Sequence, residues 1–178
     1  SAAIEAQALA VFEESLEAGW ALDGTMSQNE EQRIKLWRLR EEISETIAPS
    51  SPYKNDIAVR VAQIHAFLHE ISALVAKNYP DFEIIWFGHI GDGNLHLNIL
   101  KPENLSQAEF YARCHGVSRQ VFEVVQRYGG TISAEHGVGL LKKDYLPYSR
   151  SAAEIALMRA IKHSFDPKGI LNPGKIFD

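Results

Sequence analysis

The segment spanning residues 83–100 constrains the fold more than any other, because two apolar runs flank Gly91-Asp92-Gly93-Asn94, an unbroken block of turn-forming residues. The pattern predicts a β-hairpin. With Gly91 to Asn94 as the loop, Ile90 pairs with Leu95 and His89 lies directly opposite His96. Opposed residues on one face of an antiparallel pair have Cβ atoms about 4.5–5.5 Å apart, close enough for two imidazoles to share an ion. Asn98 projects to the same face as His96, whereas Leu95, Leu97 and Ile99 make an apolar face for packing.

Around this hairpin, apolar residues recur at helical spacing over residues 4–18, 29–47, 62–78, 106–128 and 152–164. Gly19, Pro49 and Gly129-Gly130 are the expected stops for the first, second and fourth of these. Arg40 and Ser44, four apart in the second helix, can share one helix surface. Residues 54–61 alternate Asn55, Ile57, Val59 and Val61 as a half-buried strand, and 131–134 is a short strand candidate. Helices interleaved with hairpin-joined strands predict an α+β domain, an antiparallel sheet covered on one face by helices. A doubly wound parallel sheet would need regular strand–helix–strand crossovers and a glycine fingerprint, and the sequence has neither.

A chain of 178 residues with 46% hydrophobic content can bury one ordinary core. Residues 1–10 enter directly into a helical pattern, as expected of a domain excised from a longer chain. The net charge of −5 is dispersed and no basic cluster collects phosphates, so nucleic acid is not an expected partner. The longest apolar stretch, at residues 84–87, is far too short to cross a bilayer, and no signal segment opens the chain. A soluble protein is expected. The single cysteine, Cys114, rules out an internal disulfide and suits a reducing compartment; in its helical pattern it reads as buried filler.

Each histidine of the hairpin, taken alone, reads as a satisfied or exposed side chain. Facing each other, His89 and His96 need a reason to tolerate their repulsion when charged, and a divalent cation supplies one by holding both neutral. The segment Ser133-Ala-Glu-His-Gly-Val-Gly139 offers Glu135 as a third ligand. Neighbours on a regular strand point to opposite faces, so Glu135 and His136 can serve one site only if the chain bends, which Gly137 permits. Two histidines and a carboxylate leave coordination positions open, as in catalytic rather than structural metal sites.

Three segments, Trp86-Phe-Gly-His-Ile-Gly-Asp-Gly-Asn-Leu-His96, Ser133-Ala-Glu-His-Gly-Val-Gly139 and Phe165-Asp-Pro-Lys-Gly-Ile-Leu-Asn-Pro-Gly-Lys175, resemble in order the signatures of the C-terminal domain of FAD-linked oxidases. That group includes D-lactate dehydrogenases, D-2-hydroxyglutarate dehydrogenase and the glycolate oxidase flavoprotein subunit. Upstream, Leu36-Trp-Arg-Leu-Arg-Glu41 and Tyr53-Lys-Asn-Asp56 extend the likeness over residues 30–178. One departure is Val59-Arg60, where the family often has Val-Pro.

The resemblance implies a ferredoxin-like cap domain over residues 1–178, with an N-terminal FAD-binding domain outside this chain. It implies that His89, His96 and Glu135 hold a divalent ion, zinc, and that His136 is the general base. Arg40, Ser44 and Lys54 would line the pocket for substrate carboxylates, Asn98 would contact the substrate, and Asn172 would lie near the flavin. Such an enzyme oxidises a small 2-hydroxy acid: a metal lowers the pKa of the hydroxyl, a neutral histidine takes its proton and flavin takes hydride. Arg40 can grip a carboxylate with two parallel bonds, and with Ser44 and Lys54 it favours the dicarboxylate D-2-hydroxyglutarate over D-lactate.

Electron-transfer flavoprotein, a cytochrome or a quinone would be the electron acceptor, in a cytoplasmic protein that meets the membrane periphery through that acceptor. The resemblance also leaves room for a homodimer, and the chain without its FAD domain is expected to show no turnover. Two other readings compete. A zinc hydrolase could use the same ligands, but the helical His-Glu-x-x-His arrangement is missing and Asn-Pro-Gly-Lys175 has no role in it; a non-catalytic metal-binding module is the second.

Overall fold

In the computed structural model, residues 2–177 are described, and the chain divides into two units, Ser1–Thr46 and Ile47–Asp178. The first carries helices α1 (Ala2–Glu17) and α2 (Glu30–Glu41), neither with a buried residue, and most of α3 (Ile43–Ile47). Asn29 caps α2, its side-chain oxygen accepting from the Gln32 N–H at 3.0 Å. The helix expected over 29–47 is interrupted at Glu42, where φ −90° and ψ 7° leave the helical basin. Exposed pairs Glu31–Lys35 and Arg38–Glu42, both at 2.6 Å, lace the α2 surface, where solvent screening leaves them little weight in stability.

The second unit runs β1 (Tyr53–Ala58), α4 (Ile64–Asn78), β2 (Ile84–His89), β3 (Asn94–Ile99), α5 (Gln107–Arg127) and α6 (Ala152–Phe165), with short 3-10 turns at Ala48–Ser50, Val61–Gln63 and Lys143–Tyr148. The sheet order is β1-β3-β2, and β3 is antiparallel to both neighbours. A helix therefore connects β1 to β2 with β3 between them, the split β-α-β of a ferredoxin-like fold. After α5 the chain returns beside β1, where Thr131 bridges Ala58 and the Ala134 N–H donates to the Asp56 carbonyl at 3.1 Å. The strand expected at 131–134 is reduced to that bridge and that bond.

The apolar face of the sheet, with Ile57, Leu97 and Ile99, packs on Phe67, Ile71 and Val75 of α4 and on Phe110, Cys114, Val121 and Val125 of α5. Complete burial of each large side chain contributes about 1.5–3 kcal/mol, which makes this layer the main stabilising contact. Burial pushes the Cys114 thiol up to about 11, in keeping with buried filler. Ser106 and Ser151 begin α5 and α6 with reciprocal capping boxes to Glu109 and Glu154.

Strand β1 stops at Ala58, short of the expected 61, because the Val59 N–H turns to the Gly93 carbonyl at 3.1 Å and residues 61–63 coil. Gly93 sits at φ +78°, where a Cβ would meet the Val59 oxygen at 1.8 Å, so the hairpin tip lies against the end of β1.

Candidate active site

The polar face of the sheet opposes the apolar one through strand alternation. In β3, Asn94, His96 and Asn98 are buried at 2%, 9% and 2% exposure, unusual for a row of polar side chains. The register places Lys54, Asp56 and Ala58 of β1 on one side of that row and Ile85, Phe87 and His89 of β2 on the other.

His89 pairs with Asn94, and His96 stands opposite Phe87. The direct His89–His96 pairing predicted from the turn is therefore displaced by two residues. Asn94, a turn residue by propensity, is drawn into β3 because its amide donates to Asp56 Oδ1 at 2.8 Å and to the Ile57 carbonyl at 3.2 Å. The loop becomes residues 90–93. An even displacement keeps every side chain on its face, whereas a shift by one would have reversed them all. His89 and His96 are thus diagonal neighbours, their ring centroids 5.6 Å apart.

Glu135 reaches this pair from the segment after the Thr131 bridge. Its Oε1 is 3.5 Å from His89 Nε2 and its Oε2 4.0 Å from His96 Nε2. The edge of a tetrahedron with zinc-type bonds is about 3.4 Å, so small side-chain movements would close the three around one ion. One ligand atom from each residue lies within 4.8 Å of the others. His136 adjoins, its ring stacked 5.8 Å from that of His96. Gly137 and Gly139, at φ +73° and +52°, supply the bend that lets Glu135 and His136 serve one site.

Asp56, Lys54's neighbour on the same strand face, closes the Tyr53-Lys-Asn-Asp56 segment but has no role assigned from the sequence, and it is 2% exposed. Its Oδ2 accepts the backbone N–H groups of Ala134, Glu135 and His136 at 3.1, 2.8 and 2.9 Å. Burial opposes its ionisation, but the N–H groups of Glu135 and His136, the Asn94 amide and the charge of His136 outweigh it and hold the carboxyl below its ordinary value. Period-two alternation from Lys54 would have put Asp56 on this face; its partners are not visible in the sequence.

Asp56, His96 and His136 form a second group compact enough for a metal. Three backbone N–H groups saturate Oδ2 of Asp56 and the Asn94 amide takes one of the two lone-pair directions of Oδ1, which leaves at most one for an ion. The triad of His89, His96 and Glu135 is the better donor set. Burial lowers the His96 pKa against the attraction of Asp56 and Glu135, favouring the neutral, metal-binding imidazole. Lys142, also outside the sequence reading, is half-buried with its ammonium 5.9 Å over the Phe122 ring; burial lowers its pKa and Asp56 opposes the shift.

The FAD linked oxidases, C-terminal domain, match residues 1–176 of this sequence. The chain belongs to that family. Among its relatives, D-2-hydroxyglutarate dehydrogenase of Stutzerimonas stutzeri is 64% identical over 171 residues, covering 96% of the chain and 37% of the relative. The enzyme of that name from Xanthomonas citri is 56% identical over 98% of the chain and 37% of its own length. A putative mitochondrial D-lactate dehydrogenase of Schizosaccharomyces pombe is 36% identical over 96% of the chain and 34% of its length. The chain spans little more than a third of these proteins.

Of the other residues that the family resemblance singles out, Asn98 and Lys54 face each other across β3 and β1, Asn98 buried and Lys54 exposed. Arg40 and Ser44 are exposed on α2 and α3 of the first unit. Asn172, in the left-handed region at φ +47°, lines a cleft of about 540 Å³ with Arg159, Lys162 and Lys175. No helix among the described residues is long and apolar enough to cross a membrane.

Proposed function

We propose that the chain is the substrate- and metal-binding domain of a flavin-dependent dehydrogenase that converts a D-2-hydroxy acid to its 2-oxo acid, with D-2-hydroxyglutarate preferred. The convergence of His89, His96 and Glu135, with His136 alongside, carries this reading. The names of the two relatives above half identity support the substrate. Zinc held by the triad would lower the pKa of the substrate hydroxyl, and FAD, held mainly by a domain outside this chain, would accept hydride.

His136 faces Asp56 through Nδ1 at 3.7 Å, which leaves Nε2 as the atom that takes the hydroxyl proton. Arg40, Ser44 and Lys54 bind the carboxylates, and Asn98 contacts the substrate. Asn172 would be a flavin contact. An electron-transfer flavoprotein, a cytochrome or a quinone would be the electron acceptor of the whole enzyme.

The test is steady-state kinetics of the full-length protein with a dye acceptor. D-2-hydroxyglutarate should exceed D-lactate in kcat/KM by about tenfold or more, the value of one additional charged hydrogen-bonding contact. Equal rates on the two acids reject the substrate. His136→Gln should lower kcat about 10²–10⁴-fold at unchanged zinc content; a protein that contains no zinc and is indifferent to chelators rejects the metal role.

A further inference from the structure

A carboxylate as buried as Asp56 is stable only when its oxygens are matched by donors, and the donors here are the backbone of the very residues whose side chains the site needs. In an extended strand Glu135 and His136 would point to opposite faces. Instead the N–H groups of residues 134–136 converge on one oxygen, a nest that an extended chain cannot form. Past the Ala58–Thr131 bridge the chain keeps one backbone bond to β1, from the Ala134 N–H to the Asp56 carbonyl at 3.1 Å, and the would-be fourth strand becomes a corner wrapped around a β1 side chain. The same carboxylate lies 3.7 Å from Nδ1 of His96, whose Nε2 is turned toward Glu135. A carboxylate behind the imidazole is the arrangement that sets ring orientation in metal-binding histidines.

We infer that Asp56 is the positioning residue of this site: it turns Glu135 and His136 onto the face of His89 and His96 and orients the His96 ring, without itself binding metal or substrate. The inference builds on the metal reading above, and the experiment separates the two.

In the full-length protein, cobalt(II) serves as probe for wild type, Asp56→Asn and Asp56→Ala, alongside amide hydrogen exchange. Asp56→Ala should weaken cobalt binding about 10- to 100-fold. Exchange should accelerate at residues 134–136 while β1 and β3 keep their protection. Asp56→Asn retains one acceptor oxygen and should fall between wild type and Asp56→Ala, with the visible band of bound cobalt at unchanged energy. A shifted band in Asp56→Asn would make Asp56 a ligand and overturn the inference. Wild-type affinity in both variants overturns it too, as does faster exchange spread evenly over the sheet.

Should Asp56→Ala fail to fold, Asp56→Asn decides: weaker binding with local loss of protection supports the role, and wild-type behaviour in both readouts rejects it. If the wild-type protein binds no cobalt, the metal reading fails. The exchange measurement then still decides whether Asp56 holds the corner.

Discussion

Asp56 and Asp166 are both buried aspartates that gather backbone N–H groups, yet they act over different spans of chain. Asp166 closes α6 and accepts from Ile170 and Leu171 at 3.0 and 2.9 Å, four and five residues ahead, while pairing with Lys162 one turn behind. Asp56 accepts from Ala134, Glu135 and His136, separated from it by 78 to 80 residues. A local clamp shapes the turn that follows its own helix. A long-range clamp joins two parts of the fold, and removing its carboxylate leaves the N–H groups of Glu135 and His136 without an acceptor, while Ala134 keeps the Asp56 carbonyl.

Truncating each side chain separates the two roles. Asp56→Ala should cost on the order of 3–5 kcal/mol at pH 7, from about 1–3 kcal/mol for each orphaned donor with partial recovery by water. Asp166→Ala should shift the midpoint of denaturant unfolding less and should accelerate exchange only near residues 169–171. Equal shifts would mean that span does not matter.

Acid dependence should sharpen the same contrast. The Lys162 ammonium and the N–H groups of Leu171 and Ile170 hold Asp166 below its ordinary value, as the donors around Asp56 do there. A lowered carboxyl contributes stability that is present above the unfolded value of about 3.8 and lost as pH falls through the folded one. His96, lowered by burial, adds a slope of the same sign below its unfolded value of about 6.5, where the unfolded chain takes up a proton that the folded one refuses. In urea midpoints measured from pH 7 to 3, Asp56→Asn should flatten the acid limb more than Asp166→Asn, and His96→Gln should flatten the upper window. An Asp56→Asn curve parallel to wild type would contradict the long-range role.

The smallest effects should come from the glycines that complete each corner. Gly137 and Gly169 sit at φ +73° and +63° with open space where a Cβ would go, so alanine costs only backbone strain, about 1–2 kcal/mol at either position. The two should differ in metal affinity, which Gly137→Ala weakens and Gly169→Ala leaves unchanged; isothermal titration with zinc would reveal a failure of that distinction.

Much of the fold and some of the site were legible in the residues themselves. Five helical periodicities, a turn block between apolar runs and three motif segments determine an α+β domain of the FAD-linked oxidase family. Alternation alone puts His89 and His96 on one sheet face, since the observed two-residue shift in pairing does not change the face. The turn at Asp166 belongs to this class as well, because its donors lie within five residues.

Which residues stand beside His96 was decided only by the tertiary structure. Phe87 faces it from β2 and Asp56 from β1, and Asn94 left the turn for the strand because a partner 38 residues earlier accepts its amide. Periodicity encodes the face a side chain occupies, not the neighbour it meets there. Backbone N–H groups are alike in every residue but proline, so nothing in the sequence marks residues 134–136 as the partners of Asp56. That pairing exists only once β1, β3 and the chain after α5 have come together.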